Sequence, residues 1–357
     1  MASTLGERIP SPPTQAGERD QLLFRKIIRE VANRFDRGHG SHGALMEQLR
    51  VKISLKNMHK IVDMCSAWNR SRHLNAVASL LVLFASLGFA ASSGARADET
   101  SGAFIDLPNV KLWVTDSGGT GDPVILLHAN TGTSDNWEKQ TPTLVQAGYR
   151  VIAFDRPGWG KSVVHEGMKP ISVAEDLDAL VDHLKLNKFH LVGVAGGGYI
   201  AMDYAAWRPE RLKSLIVAAS GLGLMGDDEA ETFRKRAAIP GFDRLPPEVR
   251  EMSPSYRGMN PEGVARWKEI EQHAMQAGAV VPPLRTPNTD EKVASITTPI
   301  LVIAGDVDLT TPSAAIRLWA KHLKTYDWLL IPEAGHAVAW EQPDAFNQGV
   351  LAFLRKH

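Results

Sequence analysis

The chain has one cysteine, Cys65, in 357 residues, which excludes an intrachain disulfide. Cys65 also lies well upstream of the region where the motifs gather, so a thiolate nucleophile or a thiolate metal centre is excluded there. Neither sign of charge is in excess, because forty Lys and Arg balance forty Asp and Glu. Without a net field to attract nucleic acid or an anionic surface, a small molecule is the expected partner and nucleic acid is not. The paired-histidine and histidine–carboxylate spacings of familiar metalloenzymes are missing, so neither metal nor cofactor is expected. The longest apolar run, residues 74–90, is shorter than the ~20 residues a membrane-spanning helix usually needs.

What is present suits a folded domain. Hydrophobic residues make up 44% and charged residues 22% of the chain, enough to bury a sizeable core. Residues 1–63 are polar, mixed in charge and free of any motif, and are left as an unassigned extension. Arg70 and Arg72 then precede the apolar run, and a stretch of small residues ends in Ala95-Arg96-Ala97. A basic flank, an apolar centre and a small-x-small end form the three parts of a secretory signal peptide, assigned to residues 64–97. On this reading translation begins at Met64 or Met58, cleavage after Ala97 releases a domain beginning at Asp98, and the protein is exported to the periplasm or secreted. The alternative is an uncleaved signal-anchor that leaves the protein attached to the membrane.

From residue 98 onward the pattern alternates between strands and helices, which predicts a mostly parallel sheet covered on both faces. Strands are expected at 111–115, 123–127, 150–154, 188–192, 213–218, 299–304 and 326–331. The runs Val124-Ile125-Leu126-Leu127 and Ile300-Leu301-Val302-Ile303 have no polar face, as in a central strand packed from both sides. Helices are expected at 173–186, 199–207, 312–323 and 343–355. The first repeats Val173, Leu177, Leu180, Val181 and Leu184 at helical spacing. Between 221 and 296 the alternation stops, and charged helical patches alternate with proline-bearing turns, as in an inserted cap.

Three local patterns carry chemistry. Gly193-Val194-Ala195-Gly196-Gly197 follows an apolar strand and opens a helix. His128-Ala129-Asn130-Thr131-Gly132 directly follows another strand, and Asp155-Arg156-Pro157-Gly158-Trp159-Gly160-Lys161-Ser162 a third. Together these resemble the α/β-hydrolase family: the nucleophile elbow Gly-x-Ser-x-Gly, the His-Gly-x-x-Gly oxyanion loop and the Asp-x-x-Gly-x-Gly-x-Ser loop. The resemblance implies a single α/β-hydrolase domain over residues 98–357 with a small helical cap at about 221–296. It also implies that the backbone amides of Asn130 and Gly196 form an oxyanion hole. Asp155 and Arg156 read as a structural pair, while His128, Trp137 and Trp159 are expected to bind substrate, with Trp340 flanking the same loops.

The family's chain order of nucleophile, acid and histidine places Asp308 and His336 after the last two strands. A buried Asp308 would fix the His336 tautomer and leave Nε2 free as a base. The departure is Ala195, which stands at the nucleophile position, and none of Ser220, Ser134 or Thr133 is placed to replace a serine. Three readings follow: a dyad acting without a serine on an ester or another carbonyl-containing substrate, including lyase or cofactor-free oxygenase-like chemistry; a pseudoenzyme that binds a small ligand; or a serine esterase whose nucleophile was mutated to Ala195.

Overall fold

A computed structural model describes residues 102–224 and 227–357. The extension 1–63, the leader 64–97 and Cys65 lie outside the described residues. The strands are β1 (Gly102–Asp106), β2 (Val110–Asp116), β3 (Pro123–Leu127), β4 (Arg150–Phe154), β5 (Val163–Val164), β6 (Phe189–Val194), β7 (Leu212–Ala218), β8 (Ile300–Gly305) and β9 (Asp327–Ile331). They form one sheet in the order β1-β2-β4-β3-β6-β7-β8-β9, with β5 on β2. Pairing is antiparallel where β2 meets β1, β4 and β5, and parallel from β4 through to β9.

The helices follow as α1 (Thr141–Gln146), α2 (Val173–His183), α3 (Gly196–Trp207), α4 (Asp228–Ala237), α5 (Pro247–Glu251), α6 (Pro254–Met259), α7 (Pro261–Gln272), α8 (Asp290–Ala294), α9 (Ser313–Ala320), α10 (Val338–Glu341) and α11 (Pro343–Leu354). Side chains alternate across β3. Ile125 and Leu127 enter a core shared with Leu177 and Leu180 of α2, Ile200 of α3 and Ile316 of α9. Val124 and Leu126 enter the opposite core with Leu144 of α1 and Phe346 and Val350 of α11. The unbroken apolar runs of β3 and β8 therefore report a sheet buried on both faces, each such side chain contributing about 1.5–3 kcal/mol.

Differences from the sequence reading concern weak signals. β1, β5 and α1 are too short or too polar to stand out. The predicted strand 188–192 runs on to Val194 and the helix expected at 199 begins at Gly196, so only Ala195 separates them. The insertion between β7 and β8 carries α4 to α8. Met252, Tyr256, Trp267 and Ile270 from it pack on Trp340 in a small separate core.

Candidate active site

Parallel strands deliver their C-terminal ends to one edge of the sheet, and the three matched patterns and the Asp308 and His336 loops all follow such ends. At the turn from β6 into α3, Ala195 takes φ 49° and ψ −112°, a conformation that L-residues avoid. The surroundings hold it there: its N–H donates to the Ala218 carbonyl at 2.9 Å, and its own carbonyl accepts from the Gly198 N–H at 3.0 Å. The turn is also too tight for side chains at its flanks, since a Cβ on Gly193 would collide with the Gly197 carbonyl. Ala195 is buried and presents only a methyl group.

The loop after β3 lies against this turn, close enough that a Cβ on Gly196 would strike the Asn130 amide oxygen. Gly196 opens α3, where the first N–H groups have no partner within the helix. Neither the Gly196 nor the Asn130 N–H donates to any acceptor among the described residues. The Asn130 loop is held from outside. The Trp159 indole N–H donates to the Asn130 carbonyl at 2.7 Å, and Arg156 Nη2 donates to Asn130 Oδ1 at 2.9 Å and to the Ala129 carbonyl at 3.1 Å. The guanidinium stacks 4.4 Å from the Trp159 ring, and its burial lowers its pKa to about 9.

Asp155 and Arg156 do not pair with each other as expected. Asp155 instead accepts the Ser134 and Lys161 N–H groups, each at 2.8 Å, which folds its own loop while Arg156 reaches the other way. His128 is fully engaged: its Nε2 accepts the Arg156 N–H at 3.0 Å, which places its proton on Nδ1, donating to the Ala129 carbonyl at 2.7 Å. Burial, reinforced by the Arg156 charge, holds its pKa well below the usual histidine value. His128 is therefore neutral and offers a substrate its ring but no free nitrogen.

A cavity of about 40 Å³ is lined by His128, Trp137, Val194, Glu251, Trp267, His336 and Trp340 among others. Trp137 lines the wall, and its buried indole N–H has no acceptor among the described residues. Trp159 does not line it, because its ring is stacked on Arg156 and its N–H is used on Asn130. Asp308 and His336 come together: His336 Nδ1 donates to Asp308 Oδ2 at 2.9 Å, and Asp308 Oδ1 accepts the Thr311 N–H at 2.7 Å. Asp306, by contrast, is exposed.

The residue that the sequence did not disclose is Glu251, the last residue of α5 in the insertion. Its Oε2 stands 4.0 Å from His336 Nε2, the nitrogen turned away from Asp308. The Glu251 carbonyl accepts the Ala337 N–H at 2.8 Å, fixing the insertion on the histidine loop. Glu341 adds a second tie by accepting the Ser253 N–H at 2.7 Å and the Gly335 N–H at 2.9 Å. Gly335 permits this approach, since a Cβ there would lie 2.7 Å from the Ser253 nitrogen. For His336, burial opposes the charge, but Asp308, Glu251 and Glu341 outweigh it and raise the pKa to about 9. Burial raises the Glu251 pKa, with the His336 charge opposing. A lone glutamate in a charged, proline-bearing stretch gave no sequence signal for this placement.

The comparisons with known proteins agree with this architecture. Residues 124–348 match the model of the Alpha/beta hydrolase family. The non-heme bromoperoxidase by name, BpoC, of Mycobacterium tuberculosis is 32% identical over 254 residues, covering 67% of this chain and 96% of that protein. A 2-hydroxy-6-oxononadienedioate/2-hydroxy-6-oxononatrienedioate hydrolase of Klebsiella pneumoniae is 27% identical over 272 residues, covering 69% and 92%. Among solved structures, a thermophilic esterase of Thermogutta terrifontis superposes with a TM-score of 0.57 at 28% identity, covering 72% of this chain and 98% of that one.

Proposed function

The chain belongs to the alpha/beta hydrolase family, and on that premise we propose that it hydrolyses a small ester or similar carbonyl compound without a serine nucleophile. The observation that supports this reading is the placement of Glu251 Oε2 4.0 Å from His336 Nε2 on the wall of a cavity that Val194 also lines. The next residue, at the nucleophile position, is the buried Ala195, which carries only a methyl group. With no hydroxyl to activate, the attacking oxygen comes from water. A carboxylate facing an imidazolium supplies both halves of acid–base catalysis: Glu251 accepts a proton from water as its oxygen bonds to the substrate carbonyl carbon. The amides of Asn130 and Gly196 bind the oxyanion that develops. As the tetrahedral adduct collapses, the carbon–oxygen bond breaks and His336 gives its Nε2 proton to the leaving alkoxide. Transfer of the proton from Glu251 to His336 restores the site, and the products are an acid and an alcohol. Asp308 keeps the imidazole oriented through Nδ1.

The test compares the native chain with His336→Ala, Glu251→Gln and Ala195→Ser on short acyl esters and on oxo-acid substrates like that of the Klebsiella relative. The reading expects steady turnover without a burst in the native chain, and a loss of about 10²–10⁴-fold in each of the first two variants. An acyl-enzyme burst in Ala195→Ser that far outpaces the native chain would favour a serine hydrolase that lost its nucleophile. Saturable ligand binding without turnover in any variant would favour a binding protein. Export through the leader 64–97 belongs to the same proposal and predicts a mature N-terminus at Asp98; an intact leader on the purified native protein would refute cleavage.

A further inference from the structure

Away from the cavity, three side chains from separate elements converge. Asp227 precedes α4 at the start of the insertion, Asp290 opens α8 near its end, and His322 follows α9 in the sheet domain. Their ligand atoms all lie within 4.8 Å of one another. His322 Nε2 is 3.4 Å from Asp290 Oδ1 and 3.9 Å from Asp227 Oδ2. All three atoms are buried and lack a hydrogen-bond partner among the described residues. Asp227 itself is only 9% exposed, and its other oxygen is already used, accepting the Glu229 and Ala230 N–H groups at 2.9 and 3.0 Å to cap α4. Buried polar atoms left unpaired are costly, and three converging on one point share a single remedy.

We propose that Asp227, Asp290 and His322 form a binding site for a divalent cation of the zinc type. Two carboxylate oxygens and one imidazole nitrogen form a borderline donor set that suits Zn²⁺ better than the all-oxygen shells of Ca²⁺ or Mg²⁺. Tetrahedral ligands at ~2.1 Å from a metal stand ~3.4 Å apart, so the observed separations need only a small inward movement of Asp227. A fourth position is left for water. The three residues are distant in the sequence, which is why no metal-binding spacing is visible in it. A cation here joins both roots of the insertion to α9. Lys321, next to His322, pairs with Glu229 on the rim and does not occupy the centre.

The full-length chain, free of any affinity tag, is stripped with chelator and titrated with Zn²⁺, with binding read by competition against a chromophoric chelator and by the thermal midpoint. The proposal expects one zinc per chain that His322→Gln and Asp290→Asn each weaken at least tenfold, together with a zinc-dependent rise in midpoint that both variants lose. Co²⁺ in the native chain is expected to give the visible absorption of a tetrahedral site. Three results would overturn the proposal: no saturable zinc binding, binding that both variants retain, or equal stabilisation by Mg²⁺ or Ca²⁺. The first two would leave His322 as a side chain lying between two aspartates, with no metal.

Discussion

Replacing Glu251 by glutamine separates two ways in which the His336 site could work. The carboxylate lies 4.0 Å from Nε2, and at an effective dielectric constant of about 20 that separation corresponds to roughly 4 kcal/mol. Opposite charges within this range move pKa values by about one to three units, so the His336 pKa of about 9 is expected to fall towards the neutral range in Glu251→Gln. At pH 7 the native imidazole is neutral in only ~1% of molecules, and the substitution raises that fraction at least about tenfold. If neutral His336 were the sole base, the variant would be faster at pH 7. If Glu251 receives the proton, the variant is slower by about 10²-fold or more despite the better-placed pKa. Titrating histidine ring signals by NMR, alongside kcat/KM from pH 5 to 10, measures both quantities. An unmoved His336 pKa would refute the electrostatic argument, and an equal or faster variant would refute the role of Glu251 as base.

Stability should carry the same signature. His336 has a folded pKa of about 9, raised from 6.5, so its contribution is complete below about pH 6.5 and is lost as pH rises through about 9. The shift of about 2.5 units corresponds to at most about 3 kcal/mol, measurable as a fall in urea midpoint between pH 6 and 10 that His336→Gln removes. A variant with the same fall as the native chain would assign it to other groups. Trp159→Phe deletes the 2.7 Å hydrogen bond to the Asn130 carbonyl while keeping most of the ring stacked on Arg156. The expected result is a loss of about 1 kcal/mol of stability and, on the proposed role of the Asn130 amide as an oxyanion donor, a lower kcat with little change in KM, since Trp159 holds that loop without lining the cavity. An unchanged kcat would mean that the loop does not depend on this bond.

The parts legible in the sequence were those whose signals are local. A strand such as β8, apolar on both faces, can only be a central strand, and the loops after β3, β6 and β8 sit next to strands that periodicity reveals. Their convergence followed from parallel order, which brings every C-terminal strand end to one edge. Glu251 could not be found this way. It reaches His336 because the α5–α6 junction is tied to the loop after β9 by Ala337 N–H on the Glu251 carbonyl and by Glu341 on Ser253 and Gly335, and these contacts join segments far apart in the chain. Trp159 was expected on the cavity wall for its place in a matched loop, yet the direction of its ring is set by Arg156 and Asn130. Partners of that kind become visible only once the strands are in register.

The backbone at Ala195 helps separate shape from chemistry. Holding an alanine at φ 49° costs on the order of 1–3 kcal/mol, and no side-chain hydrogen bond at this residue offsets it. The turn is kept by main-chain bonds to Ala218 and Gly198 and by the close passage of Gly193 beside Gly197, none of which involves a hydroxyl. The fold thus imposes the elbow whatever side chain it carries, and an alanine leaves the neighbouring amides of Asn130 and Gly196 still available. What the alanine removes is the oxygen, together with any reason for His336 to stay neutral to deprotonate it. A second carboxylate opposite Nε2, which would hinder a serine mechanism by fixing the imidazolium, is compatible with one in which water attacks and the histidine serves as the acid. Since that carboxylate comes from the insertion, the element that shapes the cavity also supplies the proposed base, and docking of α5 on the histidine loop becomes a condition for turnover.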